Sequence, residues 1–215
     1  DPDIVHVEGR VDPKGDIETV TTELILADMQ TLEKQVPRLV KEVTGKKTPK
    51  DVLETAQAAL TLLEKGRVLS SGGADLDPAV LKSFGLMTTK PFIYVFNTDD
   101  AGLADEAMQA ELRDFVAPAE AIFLDAKFEA ELAELEPAEA REMLEASGQD
   151  EAGLDKLARV GFDTLGLQTY LTAGEKEARA WTIHKGWTAP QAAGVIHTDF
   201  ERGFIKAEIV SYGDL

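Results

Sequence analysis

The chain has 215 residues, no cysteine and a formal net charge of −18 at pH 7. The length allows one large domain or two to three small ones, and the missing cysteines exclude disulfides, thiolate nucleophiles and cysteine-based zinc sites. With no apolar run near the roughly 20 residues of a membrane helix and no signal peptide at residues 1–10, we expect a soluble cytoplasmic protein without membrane contact.

Two long helices are predicted in the first third of the chain. Residues 4–7 alternate like the end of a strand, and from Ile17 to about Thr44 apolar residues recur on one helical face. Pro37 lies inside this run and predicts a kink or a break. A second helix follows, with Thr48 as N-cap, Pro49 at the first helical position and an end near residue 66. The short connection predicts an antiparallel hairpin, the geometry of a coiled-coil arm.

The pattern then changes to alternating strands and helices. The apolar run 91–96 predicts a strand buried on both faces, and a shorter strand is predicted at 121–124. Helices are expected at 105–115, 129–147 and 154–165, which gives an α/β arrangement with ligands at the carboxyl ends of the strands. The last 50 residues return to strands and predict a separate small α+β domain.

The acidity is unevenly spread over these elements. Residues 97–163 hold 5 basic and 19 acidic groups. Nucleic-acid binding needs clustered Lys and Arg. Direct DNA binding is therefore not expected, and any RNA contact would have to use the less acidic ends of the chain.

Polar motifs follow both predicted strands. Asn97-Thr98-Asp99-Asp100 comes after the first strand and Asp125-Ala126-Lys127 after the second. A planar base needs in-plane donors and acceptors and a stacked cover, which two neighbouring strand ends can supply. The first motif taken alone favours an ordinary polar strand-to-helix loop over a ligand site, and the second motif on the next strand adds to the case for a ligand site.

The segment 180–205 gathers polar side chains in a pattern that suggests catalysis. His197, Asp199, Glu201 and Arg202 lie within six positions, and a strand would place His197 and Asp199 on one face. A hydrolase that uses these two residues is one hypothesis. The alternative is that they hold a turn before a strand at Phe204-Ile205 and form an interaction surface. Three scattered histidines do not make a convincing metal site.

Several strings in this order resemble the YchF-type ATPases, in the Obg branch of the P-loop NTPases. The strings lie at residues 1–13, 16–18, 22–28, 128–132 and 166–170, and the stretches 180–183 and 188–205 resemble the signature of the TGS domain that ends these proteins. The resemblance covers nearly the whole chain. It implies a partial P-loop NTPase domain with an inserted helical hairpin, followed by a small β-grasp-like TGS domain.

The resemblance also implies roles for the strand-end residues. In GTPases of this class one strand ends in N-K-x-D and the next in S-A-K, and YchF-type members commonly show N-x-x-E, which accompanies a preference for ATP. Asn97 and Asp100 would then recognise the base, and Thr98, Ala126 and Lys127 would line the adenine site. The implied ligand is ATP, with GTP less favoured and with Mg²⁺ held by residues not present here. The implied partner is the ribosome.

The phosphate-binding motif of this class is absent from the sequence. No G-x-x-x-x-G-K-[ST] string occurs, although phosphoryl transfer requires that loop and its Lys. The chain is therefore expected to be an internal portion of a longer protein, unable to hydrolyse ATP alone. The alternative is a non-enzymatic adaptor that docks ribosomes or proteins through the helical arm and the TGS domain.

The resemblance divides the chain into four segments. Residues 1–17 would end one segment of the nucleotide-binding domain, and 18–88 would form the inserted arm. Residues 89–165 would complete the nucleotide-binding domain, and 166–215 would form a truncated TGS domain.

Overall fold

The computed structural model describes residues 9–73, 75–175 and 177–214, except for the side chain of Tyr212. The fold divides into two compact units, a first that ends at Lys156 and a second that begins at Leu157. The predicted strand end at residues 4–7 lies outside the described residues. None of the described helices is both long and apolar enough to cross a bilayer.

The first unit begins with a long helix, α1 (Pro13–Thr44). The Asp12 side chain accepts a hydrogen bond from Gly15 N at 3.0 Å and caps this helix. The helix runs through Pro37 without interruption, so the predicted break is wrong. Leu32 and Leu39 lie on either side of the proline and are 0% and 6% exposed. The burial of these side chains against the rest of the hairpin offsets the free-energy cost of the one backbone hydrogen bond that a proline removes.

The second helix, α2 (Lys50–Glu64), begins one residue later than the sequence predicts. Pro49 occupies the cap position in an extended conformation, and Thr48 donates its hydroxyl to Glu42 Oε2 at 2.9 Å instead of capping the helix. Both helices pack together and share a core with the short helices α3 (Leu69–Gly72) and α4 (Pro78–Ser83). The core residues are Ile25, Leu32, Leu39, Ala56, Ala59, Leu63, Leu69, Leu81 and Leu86.

The α/β part contains a parallel pair of strands, β1 (Ile93–Asn97) and β2 (Glu120–Leu124). Between them lie α5 (Asp100–Ala104) and α6 (Glu106–Val116), and α6 packs on β2. The rings of Phe96 and Phe123 stack with centroids 4.9 Å apart. Val95 is 45% exposed, so β1 is not buried on both faces as predicted. In the described part of the chain β1 pairs with β2 alone, which leaves part of its surface uncovered.

The acidic region forms three helices where two were predicted. They are α7 (Ala126–Ala133), α8 (Pro137–Ser147) and α9 (Gly153–Thr164). Pro137 starts a new helix because a proline suits the first turn and has no N–H for a preceding helix. The buried Glu129 carboxylate of α7 accepts from Gly153 N at 2.7 Å and Leu154 N at 3.2 Å, and so caps the start of α9.

The second unit contains an antiparallel pair, β3 (Leu167–Ala173) and β4 (Ala178–His184), and the helices α10 (Ala189–Ile196) and α11 (Thr198–Arg202). Residues 204–211 form neither helix nor strand, so the predicted strand at Phe204-Ile205 is wrong. Ile205 is 90% exposed, because within the described residues no neighbouring strand pairs with this segment. A single-turn 3₁₀ helix follows at Tyr212–Asp214.

Tyr170 connects β3 to α10, and its raised pKa leads us to expect that the second unit loses stability at alkaline pH. Its hydroxyl donates to the Ala192 carbonyl at 2.9 Å, and burial raises the pKa of the phenol above its usual value. A raised folded-state pKa contributes stability that is complete below the unfolded pKa of about 10 and is lost as pH rises through the folded pKa. We expect Tyr170→Phe to lower the free energy of unfolding by about 1 kcal/mol at neutral pH. Above pH ~10 the free energy of unfolding should decrease less steeply in the variant than in the unsubstituted protein. Urea unfolding at pH 7 and pH 10.5 checks both effects. An equal alkaline loss in the variant would contradict the assignment to Tyr170.

Candidate functional site at the ends of β1 and β2

The parallel pairing of β1 with β2 brings both polar motifs to one edge of the sheet. Asn97 is the register partner of Leu124, the last residue of β2. The ladder continues one step further, because Thr98 N donates to the Leu124 carbonyl at 2.9 Å. The two loops that follow the strands therefore leave the sheet side by side.

A direct hydrogen bond joins the two loops. Asn97 Oδ1 accepts from the backbone N–H of Ala126 at 3.0 Å. Since a backbone N–H can only donate, it also determines which end of the carboxamide is the oxygen. Nδ2, the donor end of the Asn97 carboxamide, therefore lies on the other side of the group. Asn97 therefore positions the start of the second loop.

The two aspartates after Thr98 have different roles. Asp99 Oδ1 accepts from Gly102 N at 2.9 Å and caps α5. Asp100 is the first residue of α5 and is exposed. Thr98 packs tightly on this turn, since a Cβ at Gly102 would come within 1.8 Å of its Oγ1. Gly102 therefore allows the close approach of Thr98.

The start of α7 is closed to anions. Asp125 Oδ1 accepts from Lys127 N at 2.8 Å and from Phe128 N at 3.2 Å, while Ala126 N donates to Asn97. The amides that could bind a phosphate at this helix N-terminus already have partners within the chain. What the second loop presents to solvent is the exposed Ala126 and the exposed Lys127 side chain. This edge suits the flat, weakly charged part of a ligand better than a phosphate.

The five predicted base-site residues thus lie where β1 leads into α5 and where β2 leads into α7. A hydrogen bond joins Asn97 to Ala126 directly, and Thr98, Asp100 and Lys127 belong to the same two strand-to-helix junctions. Their contact with a base stays a prediction. Sequence reasoning missed the capping roles of Asp99 and Asp125, although an aspartate directly before a helical run is the usual signal for them.

The cluster around His197 forms a local helix cap. His197 Nδ1 accepts from Asp199 N at 3.2 Å and lies 3.5 Å from Asp199 Oδ2. Both side chains are exposed. In the part of the chain that the structure describes, no group of three or more His, Cys, Asp or Glu side chains could hold a metal ion. The two residues lie on α11 and its cap instead of on the strand that the hydrolase hypothesis assumed.

Several bacterial proteins of one name are similar to this chain in sequence. It is 42% identical over 216 residues to the "Ribosome-binding ATPase YchF" of Haemophilus influenzae, covering 99% of this chain and 60% of that protein. It is 44% identical over 224 residues to the protein of the same name from Bacillus subtilis, covering all of this chain and 61% of that protein. The family model YchF-GTPase_C, described as a protein of unknown function, matches residues 167–215.

A solved structure agrees with the sequence matches. The "Structure of the Schizosaccharomyces pombe YchF GTPase" superposes with a TM-score of 0.78 at 30% identity, over 95% of this chain and 58% of that one. The chain belongs to the YchF family. Its α/β fold is similar to that of the YchF structure, and the chain spans about 60% of the length of the YchF relatives.

Proposed function

We propose that the protein is an ATP-binding and ATP-hydrolysing P-loop NTPase that works with ribosomes, and that residues 97–100 and 125–127 form the base-recognition half of its nucleotide site. The names of the bacterial relatives support the activity and the partner. The hydrogen bond between Asn97 and Ala126 N is the main observation in favour of the site, because it joins the two strand ends into one surface. A ribosomal partner would place the protein in the cytoplasm.

The proposed contacts follow from the chemistry of a purine. Asn97 Nδ2 donates to a ring nitrogen such as N7, an acceptor in adenine and guanine alike. The exposed Asp100 carboxylate accepts from the exocyclic amino group of adenine, and Thr98 and Ala126 flank the ring. The aliphatic stem of Lys127 covers its face. Asn97 therefore binds either purine, and the preference for adenine rests on Thr98, as the resemblance to the YchF family implies.

The proposal assigns no phosphate chemistry to the described residues. Bound Mg²⁺ would neutralise the charge that develops on the transferred phosphoryl group. The described part of the chain contains no acidic cluster that fits such an ion, and the sequence has no G-x-x-x-x-G-K-[ST] motif. The contribution of these residues is to bind and orient the base.

The domain assignment belongs to the same proposal. Residues 1–17 and 89–165 contribute to the nucleotide-binding domain, 18–88 form its inserted helical arm, and 166–215 form part of a TGS domain. The hairpin of α1 and α2 and the match of the YchF family model to residues 167–215 support this division.

Isothermal titration of the complete protein, expressed from its natural gene, with ATP and with GTP tests the proposal. We expect ATP to bind more tightly than GTP. Tighter binding of GTP would overturn the preference assigned to Thr98, and would agree with the name of the fission-yeast structure. Ribosome binding without affinity for either nucleotide would favour the non-enzymatic adaptor.

A further inference from the structure

The connection between α1 and α2 is strongly basic in an acidic chain. Residues 34–50, which we call the hairpin tip, hold six basic side chains and one acidic one, a formal net charge of +5 against −18 for the whole chain. All six basic residues are exposed. They are Lys34, Arg38, Lys41, Lys46, Lys47 and Lys50.

These side chains form a continuous stripe. Lys34, Arg38 and Lys41 are spaced i, i+4 and i+7, so they share one face of α1 over ~10 Å of helix axis. The stripe continues through Lys46 and Lys47 in the turn to the first residue of α2. The apolar side chains of this end, such as Leu39, are buried in the hairpin core.

Most of these basic side chains have no ion-pair partner among the described residues. Arg38 pairs with Glu42 at 2.8 Å and Lys50 with Glu54 at 2.6 Å. For the other four, Lys34, Lys41, Lys46 and Lys47, no carboxylate of the described residues lies within 4.0 Å of the ammonium group. An exposed ammonium without a partner binds a phosphate without first breaking an ion pair.

The turn holds one of these lysines in an unfavourable conformation. Lys46 has φ 54°, and no other described residue except glycine has a positive φ. A helix C-terminus usually places glycine or asparagine at such a position, because a Cβ is disfavoured there. At Lys46 the backbone would be relaxed by a glycine, which would remove one charge from the tip.

The tip lies far from the point where the arm is anchored. The Asp28 carboxylate of α1 binds Met87 N and Thr88 N near the start of β1. Thr44, the last residue of α1, is 16 residues further along the helix, or ~24 Å at 1.5 Å per residue. The hairpin therefore presents its positive charge at a distance from the acidic α/β part.

We propose that the hairpin tip binds the phosphate backbone of ribosomal RNA. This rests on the proposed ribosomal partner and names the surface and the chemistry of that contact. RNA fits better than an acidic protein surface, because residues 34–50 contain no aromatic side chain, whereas protein interfaces are enriched in aromatic residues and depleted in lysine. Lysine contacts to phosphates need no aromatic partner.

The first experiment removes the unpaired charges. The complete protein with Lys34, Lys41, Lys46 and Lys47 changed to Gln is titrated against purified ribosomes at several salt concentrations. We expect affinity to fall about tenfold or more at physiological salt, and the slope of log K against log[salt] to fall by about one for each lysine that meets a phosphate. The matched control changes Lys65, Lys82, Lys90 and Lys206 to Gln. These lysines are exposed and lie outside the tip, and the control should retain both values.

The second experiment separates binding from stability. Lys46→Gly removes a tip charge and relieves the backbone, so we expect a higher Tm together with weaker ribosome binding and a slope lower by about one. A variant that lost affinity merely by unfolding the hairpin would show a lower Tm.

The outcomes separate the two proposals. If the unsubstituted protein does not bind ribosomes, the proposed partner fails and the tip assignment fails with it. If it binds and the tip variant binds equally well, only the tip assignment is overturned. Deproteinised ribosomal RNA should compete with ribosomes for the unsubstituted protein and not for the tip variant. Failure to compete would assign the tip to a ribosomal protein and overturn the phosphate contact. ATP affinity should be the same in all variants.

Discussion

Asp28→Ala is expected to lower the free energy of unfolding of the helical hairpin by about 3–5 kcal/mol. The Asp28 side chain is 2% exposed. It accepts hydrogen bonds from Met87 N at 2.8 Å, Thr88 N at 2.7 Å and Thr88 Oγ1 at 2.7 Å. Alanine would leave two backbone N–H groups and a hydroxyl without this acceptor, and each unsatisfied buried group costs about 1–3 kcal/mol. The carboxylate attaches α1 to the segment that leads into β1, so the loss should reach both.

Hydrogen exchange of the complete protein measures this effect locally, through peptides from α1, α2 and residues 86–92. Thr88→Val removes one of the three bonds and should cost about 1 kcal/mol. Glu33→Ala is the matched control, because Glu33 is an exposed carboxylate of the same helix, and its effect should stay within about 0.5 kcal/mol. Equal protection in the Asp28 and Glu33 variants would show that the buried carboxylate does not hold the arm.

Asn97→Ala is expected to weaken ATP binding by the complete protein about 10- to 100-fold, or about 1.4–2.8 kcal/mol. The change removes the proposed purine donor and the acceptor for Ala126 N, so both loops of the site lose their connection. Isothermal titration with ATP measures the loss.

Asn97→Asp separates these two contributions. The carboxylate keeps an acceptor for Ala126 N, and no donor remains for the purine. We expect its Tm to match that of the unsubstituted protein while ATP affinity falls as far as in Asn97→Ala. An aspartate variant with normal ATP affinity would mean that Asn97 only positions the loops. As a control, Gln149→Ala removes an amide at a half-buried loop position outside residues 97–100 and 125–127 and should leave binding unchanged.

The helical arm illustrates which structural features local sequence patterns can predict and which they cannot. Apolar spacing predicted both helices of the hairpin, because one face of each helix must be buried and this face repeats every 3.6 residues. The same spacing contained a signal that was overlooked, since Asp28 lies on the buried stripe between Ile25 and Leu32. A carboxylate on such a face needs a partner. Its partners, Met87 and Thr88, are 59 and 60 residues away along the chain, and no local pattern identifies them.

The sequence predicted where the two polar motifs lie in the sheet but not how they are bonded to each other. Two apolar runs, each followed by polar residues, were enough to place both motifs at one edge of a parallel sheet. The bond that joins them spans 29 residues and needs the observed register of Asn97 opposite Leu124. The choice of Asp99 as the capping residue and Asp100 as the exposed one depends on where α5 begins.

Composition and local order alone account for the helices, the two polar strand ends, the separation of charge and the likeness to the YchF family. These properties depend on residues a few positions apart, or on strings that can be compared without a structure. Three-dimensional packing decides whether α1 passes Pro37, how far β1 is covered, and whether Phe204-Ile205 finds a strand to pair with. Each of these depends on contacts between distant parts of the chain, whose free energies exceed the local preferences that the sequence displays.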